Sequence, residues 1–197
     1  MTFLFDIGNV LLNLHFDRFH NTILGDPSAD LPEELLALKD PYETGAISCQ
    51  EFVTHSLKIL QSDLSPAAFT TAWQEIFSLN SQMWEVVHQL KKQGHQLILF
   101  SNTNALHAKY FLATFPDFAL FDHHHFSQEA GAIKPHFPFY QDAVERYHLN
   151  PSETLYLDDL PENIAMGKQF NFRSWQYDLN DHQACLDWLA KEGIQLS

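Results

Sequence analysis

From residue 81 to the C-terminus, segments with helical periodicity alternate with short apolar runs, and this alternation restricts the fold more than any other feature. Met83 to Gln93 has helical spacing and stops at Gly94, a residue suited to the left-handed position after a helix. Gln96–Phe100 reads as a strand that ends at Ser101-Asn102-Thr103. Helices are predicted over 105–115, 138–148, 161–170 and 183–192, and strands over 123–127, 154–157 and 173–177. Strands joined through helices run parallel, with helices on both faces of the sheet. Phe3-Leu4-Phe5 adds one more strand, unbroken in apolarity as a buried parallel strand is, and it delivers Asp6 to the strand's carboxyl end. Open α/β sheets bind ligands at that edge. The expected class is α/β, with a parallel central sheet.

Residues 15–78 read differently, as helix and turn. Phe16, Phe19, Ile23 and Leu24 share helical spacing before Gly25-Asp26-Pro27. Pro32-Glu33-Glu34 opens a helix through Leu38, and Ser48-Cys49-Gln50-Glu51 has the capping-box pattern. Ser65-Pro66 opens another helix, with Phe69, Trp73, Ile76 and Phe77 on one face. This block is too long for one crossover. It is read as an inserted α-helical cap over residues 14–80, with the core formed by 1–13 and 81–197.

Charge limits the partners. Eleven Lys and Arg face 25 Asp and Glu, a formal net charge of −14, which argues against nucleic acid or an anionic membrane surface. No apolar stretch approaches the roughly 18 residues that span a bilayer, and Asp6 interrupts the N-terminal apolar run. Cys49 and Cys185 lack metal-site spacing and read as reduced thiols. A cytoplasmic protein, monomer or homodimer, is expected. The His123-His124-His125 run alternates faces if it is a strand, so the three rings cannot share one ion.

Four signals fall at strand ends or loops: Asp6, Ser101-Asn102, Lys134, and Asp158-Asp159 with Asn163. Each has an ordinary alternative. Ser101 to Thr103 could cap the next helix, Lys134 could be a surface lysine, and Asp158-Asp159 could be a turn. Together they form complementary chemistry. A carboxylate such as Asp6 can attack phosphorus, splitting one hard displacement into two easier ones. Its charge would repel a phosphate dianion, so a cation is required, and Asp6 with Asp159 offers the hard oxygens Mg²⁺ prefers. The Ser101 hydroxyl and the N–H groups around Asn102 can bond phosphoryl oxygens. Lys134 supplies a point charge for those oxygens, or holds the nucleophile ionised and oriented. Asp158 reads as orienting Lys134 or a metal-bound water, and Asn163 could face the same site from the next helix.

The order Phe5-Asp6-Ile7-Gly8-Asn9-Val10, Ser101-Asn102-Thr103-Asn104, Lys134-Pro135 and Leu157-Asp158-Asp159 with Asn163 resembles the haloacid dehalogenase superfamily across nearly the whole chain. It is similar to a bacterial branch of that superfamily that includes an α-D-glucose-1-phosphate phosphatase. The resemblance implies a Rossmann-like core, a three-layer sandwich with a C1 helical cap, Mg²⁺, and Asp6 as nucleophile. It implies phosphate contacts from Ser101, Asn102 and Lys134, and metal ligation by Asp6, Asp159 and the Gly8 carbonyl. Tyr42-Glu43-Thr44-Gly45-Ala46-Ile47 resembles a recurring turn of the superfamily's caps, suited to a loop facing the site.

Phosphatases of this superfamily usually carry a second Asp two residues after the nucleophile, as general acid and base; here that position is Gly8. General acid catalysis gives roughly 10²–10⁴-fold, so a slow enzyme or a good leaving group, such as an anomeric sugar oxygen, is expected. His15, His20 or His55 could donate the proton, although each also reads as an ordinary helix or surface histidine. The leading expectation is a Mg²⁺-dependent phosphatase for a small phosphorylated metabolite. The rivals are a metal-free dehalogenase, a phosphonate hydrolase using Lys39 or Lys58, and a binding protein without turnover.

Overall fold

The computed structural model describes residues 1–196. Strand β1 (Thr2–Phe5) and the short β2 (Leu12–Leu14) lead into a helical block. The block holds α1 (Phe16–Leu24), α2 (Glu33–Leu36), α3 (Lys39–Glu43), α4 (Cys49–Ile59) and α5 (Pro66–Gln74). Strand β3 (Phe77–Leu79) follows, then α6 (Ser81–Lys92), β4 (Gln96–Ser101), α7 (Ala105–Thr114), β5 (His123–Phe126) and α8 (Ser127–Ala130). The chain ends with α9 (Phe137–Tyr147), β6 (Thr154–Asp158), α10 (Pro161–Gln169), β7 (Arg173–Gln176) and α11 (His182–Lys191).

The main sheet has the order β5-β4-β1-β6-β7, and every neighbouring pair is parallel. Alternate residues go to opposite faces, so each strand feeds two cores. Phe3, Phe5, Leu97, Leu99, Leu155 and Leu157 pack on one side against α6, α7 and α11. Leu4, Ile98, Phe100 and Tyr156 pack on the other against α9 and α10. This is the Rossmann-like three-layer α/β sandwich. The helical block has its own apolar cluster, with Phe19, Tyr42, Phe52 and Phe69 all buried. Each such ring contributes roughly 1.5–3 kcal/mol by burial.

Local signals place the helix ends. Gly25 closes α1 at φ 72°, and Ser48 with Glu51 makes the reciprocal capping box at the start of α4. Asn104, and not Ser101 or Asn102, caps α7 by accepting from the His107 N–H. That leaves the two preceding residues for other work.

Two features differ from the sequence reading. The helix opened by Pro32 ends at Leu36, two residues short of Leu38, and a further short helix, α3, follows from Lys39. Phe77 does not continue the face of α5; it pairs with Leu14 in an antiparallel ribbon of β2 and β3. Three-residue strands carry too little alternation to register in a sequence. The ribbon joins the helical block to the core on two adjacent strands. His123 and His124, neighbours on opposite faces of β5, are both exposed, and His125 is buried; β5 is an edge strand of the sheet. Cys49 and Cys185 are free thiols. Among the described residues no helix is long and apolar enough to cross a membrane.

Candidate active site

Register brings the first two carboxylates together. Phe5 pairs with Leu157 on one side and Leu99 on the other, so Asp6 and Asp158 leave the sheet at the same level, with Ser101 one residue further along β4. The Asp6 N–H still donates to the Leu157 carbonyl at 3.0 Å, which fixes the backbone beneath the carboxylate. The chain then turns sharply. Leu11 and Leu12 N–H groups both donate to the Ile7 carbonyl, and Asn9 adopts φ 51°, a left-handed conformation that Asn tolerates. The Gly8 carbonyl takes none of these turn hydrogen bonds.

Lys134 enters from the loop between α8 and α9 and is almost fully buried. Its Nζ lies 2.9 Å from Asp6 Oδ1, 2.6 Å from Asp158 Oδ2, and donates to the Phe100 carbonyl at 2.9 Å. An ammonium has three protons, and all three are committed. Asn102 holds the base of this lysine: its carboxamide donates to the Lys134 carbonyl at 3.0 Å and accepts from the Lys134 N–H at 2.8 Å. With its side chain so engaged, a ligand contact from Asn102 would come through its backbone N–H. The Ser101 hydroxyl makes only a long 3.3 Å contact with the Asn102 carbonyl.

Asp158 is fully buried and saturated. Its Oδ2 accepts from Lys134 and from the Tyr156 hydroxyl at 2.5 Å; its Oδ1 accepts from Asn163 Nδ2 and the Leu160 N–H, both at 2.9 Å. Asn163 reaches it from the first turn of α10. Asp159 is less engaged, with Oδ2 accepting from Asn9 Nδ2 at 3.0 Å. Asp6, Asp158 and Asp159 offer ligand atoms that all lie within 4.8 Å of one another.

Three carboxylates thus share one lysine. Burial pushes Asp6 up to about 7, against the pull of Lys134 and with added repulsion from Asp158 and Asp159. Burial also raises Asp159. Burial alone would lower the Lys134 pKa, but Asp158 and Asp6 outweigh it, so the ammonium stays charged. A cluster of hard oxygens short of positive charge is what a small divalent cation requires. Asp6 and Asp159 retain free lone pairs for it; Asp158 does not.

Above the sheet edge lies a cavity of about 720 Å³, lined by Gly8, Ser101 and Asn102 from the core and by His20, Glu43 and Trp73 from the helical block. Of the histidines considered as proton donors, His15 Nε2 is 2.7 Å from the Ser78 hydroxyl, His55 is exposed, and His20 lines the cavity. The sequence reading missed Asn9, Tyr156 and the Leu160 N–H as partners of the acidic pair. Asn9 sits inside the Asp6 motif, and Tyr156 lies two residues before Asp158 on the same strand face; only those spacings hinted at them.

A parallel sheet with acidic residues and a buried lysine at its carboxyl edge defines a class of hydrolases. The chain matches the haloacid dehalogenase-like hydrolase family over residues 1–171, and it belongs to that family. It is 25% identical over 186 residues to D-ribitol-5-phosphate phosphatase of Bacteroides thetaiotaomicron, covering 87% of this chain and 89% of that protein. Among solved structures it resembles a haloacid dehalogenase family enzyme of the same organism in complex with magnesium and inorganic phosphate. The TM-score is 0.81 at 21% identity, over 94% of this chain and 98% of that one. A haloacid dehalogenase-like hydrolase of Porphyromonas gingivalis gives a TM-score of 0.75 at 25% identity, over 95% and 97%.

Proposed function

We propose that the chain is a Mg²⁺-dependent phosphatase acting on the monoester of a small polyhydroxylated metabolite, a sugar or sugar-alcohol phosphate. In this reading Asp6 attacks phosphorus and forms an aspartyl-phosphate, which water then hydrolyses. Lys134 favours the ionised form of Asp6 and aims it, Asp158 holds Lys134, and Asn163 in turn holds Asp158. The Ser101 hydroxyl and the Asn102 N–H bond the transferring oxygens. Asp6, the Gly8 carbonyl and Asp159 would hold Mg²⁺, which when bound neutralises the phosphoryl oxygens. Residues 14–80 act as the cap that excludes bulk water from a core of 1–13 and 81–197.

The observation that carries this reading is Lys134 at 2.9 Å from Asp6 inside a cluster of three carboxylates. A dehalogenase attacking carbon has no use for such a cation site. The ribitol-5-phosphate phosphatase relative supports a sugar-alcohol substrate, and the motif resemblance supports glucose 1-phosphate. A screen over sugar phosphates, sugar-alcohol phosphates, nucleotides and flavin mononucleotide, with and without Mg²⁺, tests it. Turnover is expected to need Mg²⁺ and to vanish in Asp6→Asn. Activity indifferent to EDTA would overturn the proposal. Gly8 favours one rival, a phosphometabolite-binding protein without turnover. That rival predicts no Mg²⁺-dependent trapping of beryllium fluoride on Asp6.

A further inference from the structure

Rupture of the ester bond leaves an alkoxide that needs a proton, and Gly8 has no side chain to supply one. The helical block brings a carboxyl group to the same cavity. Glu43, the last residue of α3, lines that cavity together with Gly8, Ser101 and Asn102. Its side chain is 13% exposed, and its Oε2 is buried with no hydrogen-bond partner among the described residues. The Lys39 ammonium stands 4.0 Å away, beyond hydrogen-bond reach, on a side chain 63% exposed. An ionised carboxylate this buried and this poorly paired is costly, whereas the neutral acid is not, and it has one proton to give. Burial accordingly raises the Glu43 pKa above the usual carboxylate value.

The carboxyl is also held in place. Tyr42 is buried and stacks on Phe52 with centroids 4.1 Å apart. Gly45, at φ 72°, sits so close to α8 that a Cβ there would fall 2.6 Å from the Gln128 carbonyl oxygen. Ser127, the first residue of α8, bonds both the N–H and the carbonyl of Thr103 at 3.0 Å. The turn carrying Glu43 is therefore docked on the loop that presents Ser101 and Asn102. The charged and titratable groups facing it are Lys39 and Asp40 on its own helix, His20, Asp30 and Glu33 around the cavity, and Lys134 and His107 from the core.

We propose that Glu43 is the general acid and base of this site, serving the leaving group from the helical block where Gly8 cannot. The assignment rests on the phosphatase reading above. As the oxygen–phosphorus bond to Asp6 forms and the ester oxygen–phosphorus bond breaks, the Glu43 proton passes to the departing oxygen, releasing an alcohol and leaving Glu43 as carboxylate. That carboxylate then takes a proton from the attacking water as the Asp6–phosphorus bond breaks. Inorganic phosphate leaves, Asp6 returns as carboxylate, and Glu43 is again neutral.

The test is Glu43→Gln, a near-isostere with no transferable proton, assayed with saturating Mg²⁺ on two esters. One is p-nitrophenyl phosphate, whose phenolate leaves without a proton; the other is a sugar-alcohol phosphate. In kcat/KM the variant is expected to lose roughly 10²–10⁴-fold on the sugar-alcohol ester and at least tenfold less on the aryl ester. The high-pH limb of the sugar-alcohol profile should disappear with it. Glu43→Asp, which keeps the proton on a shorter arm, should recover part of the difference between the esters. Equal losses on both esters, or none on either, would overturn the assignment and leave the phosphatase reading standing. A wild-type protein that hydrolyses neither ester with Mg²⁺ overturns both.

Discussion

His107 Nε2 lies 2.8 Å from the Trp73 carbonyl oxygen, so one imidazole on α7 ties the core to the last helix of the helical block. Its Nδ1 is 3.1 Å from Asn104 Nδ2, and the ring stacks on the Trp73 indole with centroids 4.8 Å apart. Both hydrogen bonds are made at once only by the neutral ring carrying its proton on Nε2. Burial pushes its pKa down to about 4.

The sign of the resulting pH dependence follows. The folded state binds this proton less readily than the unfolded chain, whose histidines titrate near ~6.5. The His107 contribution is complete above that pH and is lost as pH falls towards 4, by ~3 kcal/mol in full. In metal-free protein Asp6 works the other way, since its folded pKa of about 7 favours the folded state as pH drops. The informative quantity is therefore the difference in urea midpoint between wild type and His107→Gln. That gap is expected to narrow from pH 7.5 to pH 4.5; a constant gap would contradict the neutral-ring account.

Cation binding should release protons. With Asp6 at about 7 in the metal-free site, part of the population is protonated at neutral pH, and a divalent cation needs the carboxylate. Apparent Mg²⁺ affinity should stay level above about pH 8 and fall by up to roughly tenfold per unit below 7. Calorimetry at pH 7 in two buffers of different ionisation enthalpy reads the protons released. Identical heats in the two buffers would refute it.

Lys134→Met tests the charge balance. Removing the ammonium leaves Asp6 and Asp158 buried without their common partner, 2.9 and 2.6 Å from the lost Nζ. Breaking a buried pair in this way typically costs about 3–5 kcal/mol. Chemical unfolding without metal should show a loss of that order, and saturating Mg²⁺ should restore part of it. A loss the cation does not reduce would mean that the carboxylates do not share one electrostatic site.

Two glycines form a controlled pair. Gly25 and Gly45 share φ 72°, but a Cβ on Gly25 meets nothing within 4 Å, whereas one on Gly45 meets the Gln128 carbonyl at 2.6 Å. Gly25→Ala should cost about 1–2 kcal/mol for its left-handed backbone alone. Gly45→Ala should cost a further ~1–3 kcal/mol, because backbone, not a flexible side chain, stands in the way. Thermal unfolding of both variants checks the difference. Equal costs would show that the Tyr42–Gly45 turn is not clamped on α8.

Gly8→Ala asks whether Gly8 is small because something fills its place. A Cβ there would lie 3.0 Å from Leu14 Cδ1, the far end of a side chain that is only half-buried. The substitution should cost no more than about 1 kcal/mol in chemical unfolding. A larger loss would mean that Leu14 cannot yield.

Much of the architecture was legible in the sequence because its determinants are local. Alternating periodicities from residue 81 onward imply a parallel sheet, Gly25 and Gly94 stop helices, and Ser48 with Glu51 starts one. Asp6, Ser101, Lys134 and Asp158-Asp159 stood out because each ends a strand or precedes a helix without an apolar role. The β2–β3 ribbon was not legible, since three residues make no period and the pairing joins positions 65 apart in the case of Asn13 and Ser78.

The sequence by itself determined which residues reach the carboxyl edge of the sheet, because strand length and turn chemistry decide where a chain leaves a strand. Only the tertiary structure decided how they divide the work. Lys134 spends all three protons on Asp6, Asp158 and Phe100, Asn102 turns its side chain to Lys134, and Asp158 saturates itself while Asp159 stays open. Hydrogen-bond saturation depends on what long-range packing brings within 3 Å, and no local spacing encodes that.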